Sequence, residues 1–146
     1  MNVTTHPLRA VLFDLDDTLH DDTRTYRRAA EATAAAVAAD RGIAASDLVA
    51  AYVAEADTFW RTLSPAAFDR SLVGLRESMW GAALRAVGIE DAALAVVCAS
   101  EYNRFRREYL ELWPGALDLL GRLRARGLKL APHVVGARDM PDQRPL

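Results

Sequence analysis

Apolar and polar positions follow two different rhythms along this chain. Residues 8–13 are nearly all apolar and rich in strand formers, with Arg9 and Ala10 the weak members. A short unbroken apolar run of this kind predicts a buried strand of a parallel sheet. Further on, apolar residues recur at three- and four-residue spacing. Tyr26, Ala30, Thr33 and Val37 predict a helix that starts after Asp21 or Asp22, either one a good N-cap, and runs to about Arg41, with Gly42 as its stop. Val49, Tyr52, Val53, Ala56, Trp60 and Leu63 line a second helix, capped by Ser46. Ser64-Pro65 reads as a cap followed by proline in a first turn. Leu72, Leu75, Met79, Ala82 and Ala86 predict a third helix ended by Gly88, and Leu94, Cys98, Glu101, Phe105 and Leu112 a fourth from about Asp91 to Tyr109. Trp113-Pro-Gly115 is a sharp break. A fifth helix over 116–126 turns Leu117, Leu120 and Leu123 inward and ends at Gly127, and a second strand covers 128–131.

This order of elements predicts an α/β protein with an interruption. Residues 20–112 form a purely helical block between two strand signals, and its faces are too apolar to stand alone. An independent four-helix bundle would show the same pattern over these residues, but the flanking strands favour a helical lobe set into an α/β core. The strands are expected to be parallel neighbours joined by a right-handed crossover. Residues 1–7 read as a frayed lead-in and residues 132–146, which carry three prolines and no periodicity, as a disordered tail.

The chemistry gathers at the end of the first strand. Asp14, Asp16 and Asp17 fall within four positions. Clustered carboxylates at the carboxyl end of a strand stand where ligands bind in an open α/β sheet. Asp14 and Asp16 would share one face if the strand continued. Their mutual repulsion calls for a cation or a shared proton. The bland alternative is an acidic turn after a core strand.

Phe-Asp-Leu-Asp-Asp-Thr-Leu at 13–19 resembles the first signature motif of the haloacid dehalogenase-like hydrolases, a superfamily made mostly of magnesium-dependent phosphatases. The resemblance implies a partial Rossmann-like core from residues 1–19 and 113–131, two of whose parallel strands are present, and an inserted α-helical cap from 20–112. It makes Asp14 the nucleophile and Asp16 the general acid/base. Mg2+ is held by the Asp14 carboxylate and the Asp16 carbonyl, and Thr18 steadies the loop that meets the substrate. An acid at position 16 favours phosphoester chemistry over carbon–halogen cleavage. The implied substrate is a small phosphorylated metabolite, hydrolysed through an aspartyl-phosphate. The family's second motif, a Ser or Thr, has no counterpart, since none occurs after Ser100. Lys129 lies too early for the third motif, and Arg138 has no helix around it. Asp139 and Asp142 are spaced too closely for the fourth. The abrupt change of character after Ala131 reads as a truncation or frameshift. A rival reading is therefore a non-catalytic remnant or helical interaction module.

Composition narrows the remaining classes. The 146 residues carry a net charge of −2 and no basic stripe, so nucleic acid is not an expected partner. No run of about 18 apolar residues predicts a membrane span, and no signal peptide is evident. One cysteine, Cys98, fits a reducing, cytoplasmic setting and reads as packing. The arginine groups at 24–28 and 104–107 could meet a substrate anion but read rather as solvated helix faces, and His20, four residues past Asp16, could line the site but reads rather as a loop histidine. Nothing in the sequence speaks to oligomeric state.

Overall fold

A computed structural model describes residues 8–39, 41–62 and 74–132. Strand β1, Ala10–Phe13, is followed by helices α1 (Asp22–Ala38), α2 (Ala45–Thr62), α3 (Leu75–Ala86), α4 (Ala92–Glu108) and α5 (Ala116–Ala125), and then by strand β2, Lys129–Pro132. The expectations for Ser64-Pro65, for the opening of the third helix and for 133–146, with His133, Arg138, Asp139 and Asp142, lie outside the described residues, as does His6. Among the described residues no helix is long and apolar enough to cross a membrane.

The contacts divide the chain into two compact units. One comprises the segments up to Thr23 and from Glu111, the other Arg24–Leu110. In the first unit β1 and β2 pair in parallel, with Ala10 opposite Lys129 and Phe13 opposite Pro132. The α/β core with its helical insertion thus takes the expected form, with three corrections. The strands are not buried: Leu12 is 64 % exposed, and Ala10, Lys129 and Ala131 are exposed too. Pro132 belongs to β2 and not to the tail. Its ring sits at the last position of an edge strand, where a missing N–H costs least. α5 packs on β2, yet Leu117, expected to face inward, is 68 % exposed, and Ala116 is the helix's buried residue.

The helical unit holds the main core. α2 packs on α3, and α3 on α4. α1 adds the side chains of Ala29, Ala30, Ala34 and Val37 to the same cluster. At its centre the Tyr52 and Trp80 rings stack with centroids 4.0 Å apart, and Tyr102 closes on Tyr52 at 5.3 Å. Arg76 Nη1 donates to the Tyr52 hydroxyl at 3.2 Å. The buried face of α2 is Leu48, Tyr52 and Ala56; Val53 and Trp60, read from the sequence as core, are exposed. α1 stops at Ala38, short of Arg41, where its last buried positions Val37 and Ala38 end. α4 begins at an Asp91 cap, whose Oδ1 accepts the Leu94 N–H at 2.9 Å. Of the three predicted glycine stops, Gly42 has positive φ but lies four residues beyond the end of α1 at Ala38, and the other two close their helices directly. Gly88 and Gly127 adopt positive φ, and the N–H groups of Gly88 and Ile89 return to the Arg85 and Leu84 carbonyls. Gly127 and Leu128 do the same to Arg124 and Leu123. These are Schellman closures, which satisfy the last carbonyls of each helix and need a residue free of the Cβ penalty.

Candidate active site

β1 delivers the chain to a tight turn built on one carbonyl. The Leu15 C=O accepts the N–H groups of Thr18, Leu19 and His20 at 3.2, 2.9 and 3.3 Å. The strand therefore ends at Phe13, and Asp14 and Asp16 do not share a face of a continuing strand. Asp17 adopts φ 54°, a left-handed conformation that aspartate tolerates better than most residues. Its carboxylate then reaches forward to accept Thr23 N–H at 2.9 Å and Thr23 Oγ1–H at 2.7 Å. Thr23 lies in the first turn of α1, whose N–H groups have no partner within the helix, so Asp17 caps α1 from six residues upstream. These two bonds, the backbone one foremost, hold the Asp17 carboxyl below the usual carboxylate range.

The far side of the turn is strapped to the segment that enters α5. Asp21 N–H donates to the Glu111 carbonyl at 3.2 Å and Trp113 N–H to the Leu19 carbonyl at 2.9 Å, and His20 forms an antiparallel bridge with Leu112. Leu19 and His20 are buried as a result of this setting, His20 to 8 % exposure.

The sequence-derived site residues fall out as follows. Asp14 is exposed directly after β1, and its Oδ1 accepts the Leu15 N–H at 3.0 Å. Asp16 is exposed, with Oδ1 3.1 Å from His20 Nε2. A carboxyl oxygen that carries no proton only accepts, so with Oδ1 bare Nε2–H is the donor. Thr18 is exposed within the turn. The structure groups Asp16 not with Asp14 but with His20 and Asp22, one ligand atom from each lying within 4.8 Å of the others. His20 Nδ1 faces Asp22 Oδ1 at 4.0 Å and has no hydrogen-bond partner. The sequence reading favours a loop role for His20 and treats Asp22 as a helix cap, so this grouping is not among its site residues. The four-residue step from Asp16 to His20 was a usable signal, but the burial that makes His20 matter comes from residues 111–113, remote in sequence. Lys129 sits within β2 opposite Ala10, away from the turn in register.

Comparison with known proteins agrees with the architecture. The sequence matches the haloacid dehalogenase-like hydrolase family over residues 8–133. The comparison with curated proteins gives no match. Among solved structures the chain is similar to YfnB of Bacillus subtilis, classed as a HAD-hydrolase and solved bound to magnesium, with 24 % identity and a TM-score of 0.65. The match covers 87 % of this chain and 52 % of that one, so the chain spans about half the length of its solved relative. An α/β strand pair with carboxylates at its carboxyl end, a helical unit that follows the first strand and precedes the second in the chain, and this family match define the class. The chain belongs to the haloacid dehalogenase-like hydrolases.

Proposed function

We propose that the site serves Mg2+-dependent phosphoester hydrolysis of a small phosphorylated metabolite, with Asp14 as nucleophile and Asp16 as general acid and base. The observation that carries this reading is the placement of both carboxylates, solvent-open, in the turn that ends β1, together with family membership. Asp14 attacks phosphorus, the P–O bond to the leaving group breaks, and an aspartyl-phosphate forms. Asp16 gives its proton to the leaving oxygen and then takes one from the water that hydrolyses the intermediate. The Asp16 contact to His20 uses Oδ1 and leaves Oδ2 for that transfer. Thr18 steadies the turn through its N–H to Leu15.

Carboxylate and carbonyl oxygens are the donor set a hard cation prefers, so the residues at the turn, Asp14 and Asp16 both exposed, fit Mg2+. The Asp14 carboxylate and the Asp16 main-chain carbonyl would hold it. When bound, the ion offsets negative charge between enzyme and phosphoryl oxygens.

Within the 146 residues, no Ser or Thr follows Ser100 and the single lysine lies in β2. Each preorganised charge-stabilising group is worth on the order of 10² to 10³ in rate, and such losses do not simply add. Turnover by these residues alone is therefore expected about 10⁴-fold or more below ordinary enzyme rates. The test is p-nitrophenyl phosphate hydrolysis at high protein concentration with Mg2+, with a chelator, and by Asp14→Asn. Slow, metal-dependent release lost in Asp14→Asn is the expected result. Release indifferent to Asp14→Asn would remove the proposal.

A further inference from the structure

The imidazole of His20 is held in an unusual way for a loop histidine. Its side chain is 10 % exposed and sits between two carboxylates, Asp16 at Nε2 and Asp22 toward Nδ1. Asp16 Oδ1, 3.1 Å from Nε2, can only accept, which fixes the proton on Nε2 in the neutral ring and leaves a bare lone pair on Nδ1. That nitrogen is buried and has nothing to accept from. A buried polar atom without a partner is costly, and this one is aimed at a carboxylate oxygen 4.0 Å away. Two acceptors facing each other across such a gap repel by their lone pairs and suit a cation between them. An ion with ligand bonds of about 2.0–2.2 Å spans ligand pairs roughly 3.4 Å apart in tetrahedral geometry, so a small side-chain rotation closes the site.

We propose that His20 Nδ1 and Asp22 Oδ1 bind one borderline divalent cation of the Zn2+ or Co2+ type, with Asp16 fixing the imidazole from behind through Nε2–H. The site is distinct from the oxygen-only position proposed for Mg2+ and does not depend on the phosphatase reading. A nitrogen donor selects transition ions over Mg2+. A ligating histidine whose other ring N–H is held by a carboxylate is the arrangement that orients the ring and raises its basicity. Asp16 plays that part here, and the Asp16, His20 and Asp22 ligand atoms lie within 4.8 Å of one another. An ion so placed commits Asp16 Oδ1 to the imidazole.

The test is Zn2+ titration by calorimetry and Co2+ titration by visible absorption on the full chain, without substrate. The variants are His20→Asn, Asp22→Asn, Asp16→Asn and a His6→Ala/His133→Ala double substitution that removes the other two imidazoles. Wild type and the double variant should bind one ion alike, with Mg2+ in 100-fold excess failing to displace it. His20→Asn and Asp22→Asn should each weaken binding by at least about 10-fold, and Asp16→Asn by about 10-fold as an orienting group. Far-ultraviolet circular dichroism checks that each variant keeps its helices. Asp22→Asn decides the matter if the buried His20 does not tolerate replacement. Absence of binding in wild type, binding lost only with His6 and His133, or equal binding by Asp22→Asn would overturn the proposal.

Discussion

The Asp17 carboxylate accepts both the backbone N–H and the hydroxyl of Thr23, at 2.9 and 2.7 Å. It thereby ties the acidic turn to the first turn of α1 while holding its own backbone at φ 54°. Replacing Asp17 by alanine removes the acceptor and adds strain at a left-handed position. Asparagine keeps one acceptor and tolerates that conformation. The expected order of thermal midpoints at pH 7 is wild type, then Asp17→Asn, then Asp17→Ala. Equal midpoints would contradict the capping role.

The same pair sets a pH dependence. Thr23 depresses the folded-state value of Asp17, so its stabilising contribution is complete above the unfolded carboxylate value of about 3.9. It disappears as pH falls through the lower folded value. The gap between wild type and Asp17→Ala should therefore narrow in midpoint scans carried from pH 7 to about pH 3.

Trp80 is fully buried against Tyr52. Trp80→Ala should destabilise the helical unit by about 3–5 kcal/mol through lost transfer energy and the cavity left behind. Urea unfolding followed by circular dichroism measures it. A loss below about 1 kcal/mol would mean that the stack is not the centre of that core.

Cys98 is fully buried and its thiol is pushed up to about 11 by desolvation. Raised from 9.0 to about 11, the thiol carries about 100-fold less thiolate at pH 8. Alkylation should be slow in the native protein and become fast in denaturant. Rapid native labelling would show that the α4 face opens.

Leu117 offers a test of the exposed side of α5. Were it buried, Leu117→Lys would unfold the core unit. At 68 % exposure the change should alter stability by less than about 0.5 kcal/mol and reduce binding of a hydrophobic dye. The dye signal reports the apolar surface that Leu8, Leu12 and Leu117 share in being exposed.

What the sequence made legible follows the range of the forces involved. Gly88 and Gly127 end their helices through bonds that reach five residues at most, so local rules find them. The strand pairing was legible because β1 and β2 flank a long stretch in which every periodic signal of the sequence is helical. The buried face of α2 was not. In a helix as apolar as this one the periodic stripe is broad; α2 packs on α3, and its buried residues are Leu48, Tyr52 and Ala56 while Val53 and Trp60 are exposed. At the site, Asp14 and Asp16 stood out as a motif, while His20 looked like any loop residue. Its burial is conferred by residues 111–113 across the fold, and no window of local sequence contains both.

The register that puts Ala10 opposite Lys129 also sets the order in which the molecule assembles. Helix pairs such as α2 with α3 close short stretches of chain and can form on microsecond scales, whereas joining the two strands means bringing together the ends of a very long loop. The helical unit shortens that loop as it folds, so the strand pair should lock last. The acidic turn at the end of β1 shares in this timing: its local bonds can close early, but its strap to residues 111–113 should form only with the strand pair.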